Sequence, residues 1–357
     1  MLREISHLRG HSGAVQVGLF NATGSYALTG GVDRVICLWN PYRPPYNSAT
    51  EDTGALLLKR YRGHNMDVRD LAVARDSSRI ASVGGDRFAV LWDVESGEIL
   101  RKVYGHESSL SSVRFGGSEN DGESVLITGG DDMCVRISDL RSAPTRGPIT
   151  VLKGFRDKIT GVEALGGCLL VSSMDGTVRT WDTRAAKVTC DMLPSGGEGV
   201  NSIPPPITAL AIPPSDFLPA TALGGGGAGS NVYLAGTTRG GGGLCLVDRP
   251  TSTVLSVCAG HTNEQYRLHP TMLPGHRWVA CGGEDGGIYL WDLLLGGDTS
   301  KAASPESRPE AHRRVVSYVD SKESVAAANV MGGGVHFSSV LLSSSHDSTS
   351  KVWGVVM

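Results

Sequence analysis

The stretch GHNMDVRDLAVARDSSRIASVGGDRFAVLWD, residues 63–93, decides how the chain folds. Apolar residues alternate over Val68–Val73, Arg79–Ser82 and Ala89–Trp92, and another such run follows at Ile99–Val103. A period of two turns one side of each run toward a core, so the unit reads as four short strands. Asp76-Ser77-Ser78, Gly84-Gly85-Asp86 and Glu95-Ser96-Gly97 supply the turns between them.

The unit recurs along the chain. Five of the six tryptophans, Trp39, Trp92, Trp181, Trp291 and Trp353, have an aspartate six residues earlier: Asp33, Asp86, Asp175, Asp285 and Asp347. Upstream of each unit lies Gly-His or a variant of it: Gly10-His11, Gly63-His64, Gly105-His106, Gly154-Phe155, Gly260-His261 and Ala311-His312. The wide gap between Phe155 and His261 leaves room for one more, degenerate unit. Its strands read as Pro206–Ile212, Val232–Ala235 and Leu244–Asp248, with Val247 in the tryptophan's place. The third unit keeps Asp132 but has Ser138-Asp139 instead of Trp-Asp. Four strands, Gly-His and Trp-Asp at a period of about 40–45 residues resemble the WD40 β-propeller repeat.

The expectation is therefore an all-β, seven-bladed propeller. Its blades fall near residues 9–55, 56–104, 105–153, 154–193, 203–259, 260–304 and 311–357. Lys351–Met357 supplies a third strand of the last blade without a fourth, and residues 1–8, with Ile5-Ser6-His7-Leu8, precede the first Gly-His as a fourth strand would. The N-terminal strand is expected to complete the last blade and so remove the open edge of the ring. Insertions at 41–55, 116–124, 190–205, 213–231, 296–311 and 319–335 read as mobile loops.

Composition agrees. The 48 glycines, about twice the usual share, speak against a helix-rich chain and for many tight turns. A net charge of -3 lacks the basic footprint of a general nucleic-acid binder. Seven scattered cysteines without a CxxC pair suggest neither a disulfide framework nor a zinc site. Neither a secretion signal nor a membrane span is read, because charges and glycines interrupt every apolar run.

The propeller resemblance implies a hydrogen-bonded chain in each blade, running from the histidine to the turn aspartate, a strand hydroxyl and the tryptophan. Residue by residue this carries over to His11, Asp33, Thr29 and Trp39; to His64, Asp86, Ser82 and Trp92; and to His312, Asp347, Ser343 and Trp353. The third blade contributes His106, Thr128 and Asp132, the fourth Asp175 and Trp181, and the sixth His261, Asp285 and Trp291. Blade six has Cys281 at the hydroxyl position, while blade four has Val171 there and Phe155 for histidine. These two blades are expected to be held more by packing than by polar networks.

Chemistry-bearing motifs are missing. The GxGxxG through Gly224, Gly226 and Gly229 belongs to a glycine run that opens no helix after a strand, and no GxxxxGK[ST], HExxH, GxSxG or EF-hand pattern occurs. The reading is a non-catalytic chain with no cofactor and no metal. Trp181-Asp182-Thr183-Arg184 resembles the WDxR box by which some propellers dock onto the adaptor of cullin-4 ubiquitin ligases, which would give Asp182 and Arg184 that role and make the chain a substrate receptor.

Blade six is the most individual: GHTNEQYRL at 260–268, WVACGGED at 278–285 and IYLWDL at 288–293. With Leu38-Trp39-Asn40-Pro41, Val90–Val94 and Pro206-Ile207-Thr208, it is similar to the mitogen-activated protein kinase organiser family of WD40 proteins. That resemblance implies a protein-interaction scaffold in the spliceosome, in a kinase cascade, or in both, located in nucleus and cytoplasm. A monomer within larger complexes with protein partners is expected, and the net charge of -3 argues against direct sequence-specific contact to nucleic acid. Candidate contacts are the residues before the turn aspartates, Asp131, Met174, Glu284 and His346, together with Tyr266 and Arg267, since an aromatic beside an arginine is typical of interface hot spots.

Overall fold

A computed structural model describes residues 2–43, 54–117, 123–143, 147–165, 167–182, 187–192, 205–213, 231–238, 243–275, 277–293, 306–308, 311–323, 337 and 339–355. Among these are 28 strands and no helix. Strand β1 (Leu2–Arg9) opens the chain. Sheet one holds β2 (Val15–Phe20), β3 (Ala27–Gly31), β4 (Val35–Asn40) and β5 (Leu56–Arg62); sheet two holds β6 (Val68–Val73), β7 (Arg79–Gly84), β8 (Phe88–Asp93) and β9 (Ile99–Tyr104). Sheet three holds β10 (Leu110–Gly116), β11 (Val125–Gly130), β12 (Val135–Asp139) and β13 (Thr150–Leu152), and sheet four β14 (Ile159–Leu165), β15 (Cys168–Ser173), β16 (Thr177–Asp182) and β17 (Lys187–Met192). Sheet five holds β18 (Ile207–Ala211), β19 (Val232–Thr237), β20 (Gly243–Asp248) and β21 (Thr253–Cys258). Sheet six is β22 (Thr271–Met272), β23 (Trp278–Gly282), β24 (Ile288–Asp292) and β25 (Glu306–Arg308).

The seventh sheet settles closure. Its order is β1, β28 (Thr349–Val355), β27 (Ser339–Ser345), β26 (Val316–Glu323), with Leu2 opposite Val355 and Arg9 opposite Thr349. The N-terminal strand thus completes the last blade of a seven-bladed propeller, leaving no open ring edge.

Blade limits differ from the sequence reading in two places. Leu56–Arg62 pairs with β4 and belongs to the first blade, and Glu306–Arg308 extends the sixth beyond 304. The loops expected at 319–335 and 190–205 begin later, because Val319–Glu323 is still paired within β26 and Cys190–Met192 within β17. Most of the other insertions lie outside the described residues.

Packing follows the two-residue alternation. Trp39, Trp92, Trp291 and Trp353 are at most 1% exposed, each inside a cluster shared with a neighbouring sheet; Trp92, for example, packs with Leu28 and Ile36 of the preceding blade. Close approach is needed where the second strands of blades one and two end. A Cβ at Gly84 would fall inside contact distance of the Asp67 carbonyl oxygen, and one at Gly31 would meet that of Ala14.

Candidate functional site

Three blades carry the complete four-residue chain. In blade one His11 Nδ1 meets Asp33 at 2.8 Å, its Nε2 meets Thr29 Oγ1 at 2.7 Å, and the Trp39 indole donates to the same hydroxyl at 2.8 Å. Blade two repeats this through Asp86, Ser82 and Trp92 at 2.7 Å each. Blade seven does so through Asp347 at 3.1 Å and Ser343 at 2.8 Å, with Trp353 donating at 2.8 Å. Blade three joins His106 to Asp132 and Thr128, and Arg136 adds an ion pair to Asp132. In blade four Phe155 packs 5.5 Å from Trp181, and the guanidinium of Arg179 lies over the Phe155 ring while pairing with Asp175 at 3.8 Å.

Blade six departs from the carried-over chain. Without a hydroxyl at Cys281, the Trp291 indole donates to the Ala259 carbonyl, and Asp285 instead accepts the Tyr289 hydroxyl. Neither ring nitrogen of His261 has a hydrogen-bond partner among the described residues, and its ring sits edge-on to Trp291 at 5.3 Å. Burial lowers the His261 pKa to about 4, against the pull of Asp285 and Glu284.

These frameworks set the loops on one rim. The backbone N–H groups of Asp131, Met174, Glu284 and His346 donate to Ser109, Lys158, Thr262 and Val315, so the four residues occupy equivalent turns. Glu284 is used internally: a single carboxylate oxygen accepts the N–H groups of Glu264, Gln265 and Tyr266 at 2.7–2.9 Å and shapes that loop. Tyr266, 41% exposed, meets the His346 ring edge-to-face at 5.1 Å.

Arg267 corrects the surface reading. It is half-buried and crosses the central channel to donate from Nη1 to the Ser111 carbonyl on β10 at 2.8 Å, linking blade six to blade three. Two residues on, His269 forms a parallel bridge to Tyr318 of β26, which holds this segment against the neighbouring innermost strand.

The channel mouth holds a cavity of about 210 Å³. Its wall includes Gln16, Arg69 and Ser317, each the second residue of an innermost strand at a register shift. A bulge there re-aims a side chain into the channel. Arg69 pairs with Asp67 at 2.9 Å and with Asp131 at 3.3 Å. Deeper, His269 stacks on Tyr318 at 4.1 Å, with the backbone of Val319 and Leu210 beside its ring. Burial first, then the charges of Arg114 and Arg267, hold the His269 pKa well below its ordinary value. Burial therefore favours the neutral imidazole.

Below lies a charged triad from three successive blades. Arg114 binds Asp70 at 2.9 Å and grips Glu163 with Nε and Nη2 at 2.8–3.1 Å. The Ser112 hydroxyl and the Val113 N–H also donate to Asp70. Burial pushes the Glu163 carboxyl above its ordinary range, opposed by Arg114. The sequence reading missed Asp70, Arg114, Glu163, Arg69, His269 and Tyr318. One signal was present: charged residues inside an otherwise largely apolar innermost strand, Arg69 and Asp70 in Val68–Val73 and Glu163 in Ile159–Leu165.

The remaining candidates are not gathered at this cavity. Met174 stands in the blade-four turn, Asp182 is half-buried at the end of β16, and Arg184 lies outside the described residues. No group of three or more metal-ligating side chains occurs among the described residues.

Comparison with known proteins agrees with this architecture. The model of the WD domain, G-beta repeat, matches residues 2–40, 56–93, 97–139, 146–182 and 252–292, more than half of the chain. Rat WD repeat domain-containing protein 83 is 32% identical over 284 residues, 80% of this chain and 77% of its own. The homolog of that protein in Dictyostelium discoideum is 22% identical over 97% of this chain and 96% of its own length. The U5 small nuclear ribonucleoprotein 40 kDa protein of the same organism is 27% identical over 50% of this chain and 46% of its own. A closed ring of seven four-stranded sheets, with the repeat matched over most blades, places this chain in the WD40 repeat family.

Proposed function

We propose that this WD40 ring is a non-catalytic scaffold of the pre-mRNA splicing machinery, working in nucleus and cytoplasm as a monomer within larger complexes. One observation carries the reading: the likeness to WD repeat domain-containing protein 83 runs through four-fifths of the chain, and a further relative is named as a component of the U5 small nuclear ribonucleoprotein. The individual blade-six loop at 260–268 stands at the channel mouth, where a partner would meet it. A rigid closed ring presents turns from every blade, so several proteins can bind without a conformational change.

Organisation of a mitogen-activated protein kinase cascade is the second role, supported by the blade-six resemblance of residues 260–293. Affinity purification of the full chain followed by mass spectrometry separates the two, through recovery of splicing factors or of kinase-cascade proteins. The isolated protein, with its net charge of -3, should bind RNA weakly and without sequence preference. Submicromolar RNA binding at physiological salt would overturn the protein-scaffold reading.

A further inference from the structure

We propose that the outer rim of blade one, where Arg9, Arg34, Arg60 and Arg62 stand exposed, docks an extended acidic segment of a protein partner. The inference rests on the scaffold reading and puts one recognition surface on the side of the ring, away from the channel.

Charge is spread unevenly around the ring. The outermost strands of blades seven, one and two, β1, β5 and β9, carry seven arginines and lysines against a single acid, Glu4, which is paired with Lys351 at 3.0 Å. The outermost strands of the other four blades carry two residues of each sign. In a chain whose net charge is -3, the basic excess is therefore a local feature of one side.

The excess is least compensated at blade one. Arg60 donates from Nη2 to the carbonyl of Gly10, the neighbour of Arg9, and Arg62 stands opposite Val35, the neighbour of Arg34. All four arginines are exposed, and none has a carboxylate partner among the described residues. The acid next to them in sequence, Asp33, is turned inward: its side chain is 8% exposed and meets His11 Nδ1 and the N–H groups of Ser12 and Val35. It is not free to neutralise the rim.

The spacing suits an extended chain. Arg60 and Arg62 are exposed on β5, while Tyr61 between them is buried against Trp92. Alternate residues of a strand are ~6.5–7 Å apart, so carboxylates at every second position of a partner segment would meet successive guanidinium groups. Each planar fork matches a carboxylate in bidentate geometry. Strand β5 ends its sheet, so no strand covers its outer side among the described residues. Val32 and Leu58, each two residues before one of these arginines, are 46% and 44% exposed and give apolar contact to the intervening side chains. Single-stranded RNA is disfavoured, because sites for it interleave cations with aromatic faces on which bases stack. The aromatic side chains of β4 and β5, Trp39 and Tyr61, are each 1% exposed.

The test uses the full chain and fluorescein-labelled heptapeptides in which Glu alternates with Val, or Gln or Lys replaces each Glu, read by anisotropy. The Glu peptide should bind about tenfold tighter than the other two, and its advantage should shrink as salt rises. Arg34→Gln combined with Arg62→Gln should abolish the preference without moving the melting midpoint, since both side chains are exposed. Arg156→Gln combined with Lys158→Gln removes two exposed charges from blade four and should leave binding unchanged. Equal binding of the Glu and Gln peptides, no binding of any peptide, or preference for Lys would overturn the inference. So would an unchanged preference in the blade-one variant, an equal loss in the blade-four variant, or a uridine octanucleotide binding more tightly than the Glu peptide. Co-purification of the same splicing factors by wild type and the blade-one variant overturns this inference and leaves the scaffold reading standing. Recovery of no splicing or kinase-cascade protein by wild type overturns the scaffold reading, whatever the peptides do.

Discussion

Asp86→Ala tests whether the blade-two chain holds its blade together. Asp86 accepts His64 Nδ1 at 2.7 Å and the backbone N–H groups of Asn65 and Met66 at 3.2 and 3.4 Å, while Asp86 and His64 are both buried. Removing the carboxylate strands a buried imidazole N–H, at ~1–3 kcal/mol, and loosens two loop amides, so the loss should reach about 2–4 kcal/mol. Asp285 stands at the same position in blade six but is exposed, and it holds the Tyr289 hydroxyl and the Gly287 N–H instead of His261. Asp285→Ala should cost under ~1 kcal/mol, in the range of surface changes. Asp175→Ala, where the aspartate faces Phe155 and Arg179, should fall between them. Urea unfolding of the three variants gives the midpoints, with unchanged slopes marking pure stability effects. Equal losses for Asp86→Ala and Asp285→Ala would refute the view that the histidine contact carries the difference.

Three further outcomes follow from the same contacts. Asp347 is held well below the ordinary carboxylate range, its burial outweighed by hydrogen bonds from His312 and Thr349. A depressed folded pKa means stability that is present above the unfolded value of ~3.9 and lost as pH falls below it, so Asp347→Asn should flatten the decline below about pH 4; an unchanged slope would count against the contact. His261, 2% exposed and lowered to about 4, binds fewer protons folded than unfolded between that value and ~6.5, which removes roughly 3 kcal/mol as pH falls through this window. Titration of its imidazole proton resonance near pH 6.5 instead of 4 would contradict this. Arg114→Met should cost ~3–5 kcal/mol by leaving Asp70 and Glu163 buried without their cation, and adding Glu163→Gln should return part of it in a double-mutant cycle; strict additivity of the two changes would deny the coupling.

Local spacing alone announced the repeat. Asp86 and Trp92 are six residues apart because one hairpin turn separates them, and the alternation of Val68–Val73 needs no distant partner to be read. Strand order within each blade and the strand shared between chain ends were legible for the same reason: each third strand demands a fourth, and Leu2–Arg9 had no other place. Single substitutions with no local consequence were harder. Cys281 in place of a hydroxyl suggested a weaker chain in blade six, but only the folded packing shows the Trp291 indole turning to Ala259 and leaving His261 without a partner. The channel lay furthest from the sequence. Asp70, Arg114 and Glu163 come from three blades, and Arg267 reaches Ser111 across 156 positions of chain. Such meetings depend on the ring's closure and on bulges that turn side chains inward, quantities set by how seven sheets pack together and absent from any one repeat.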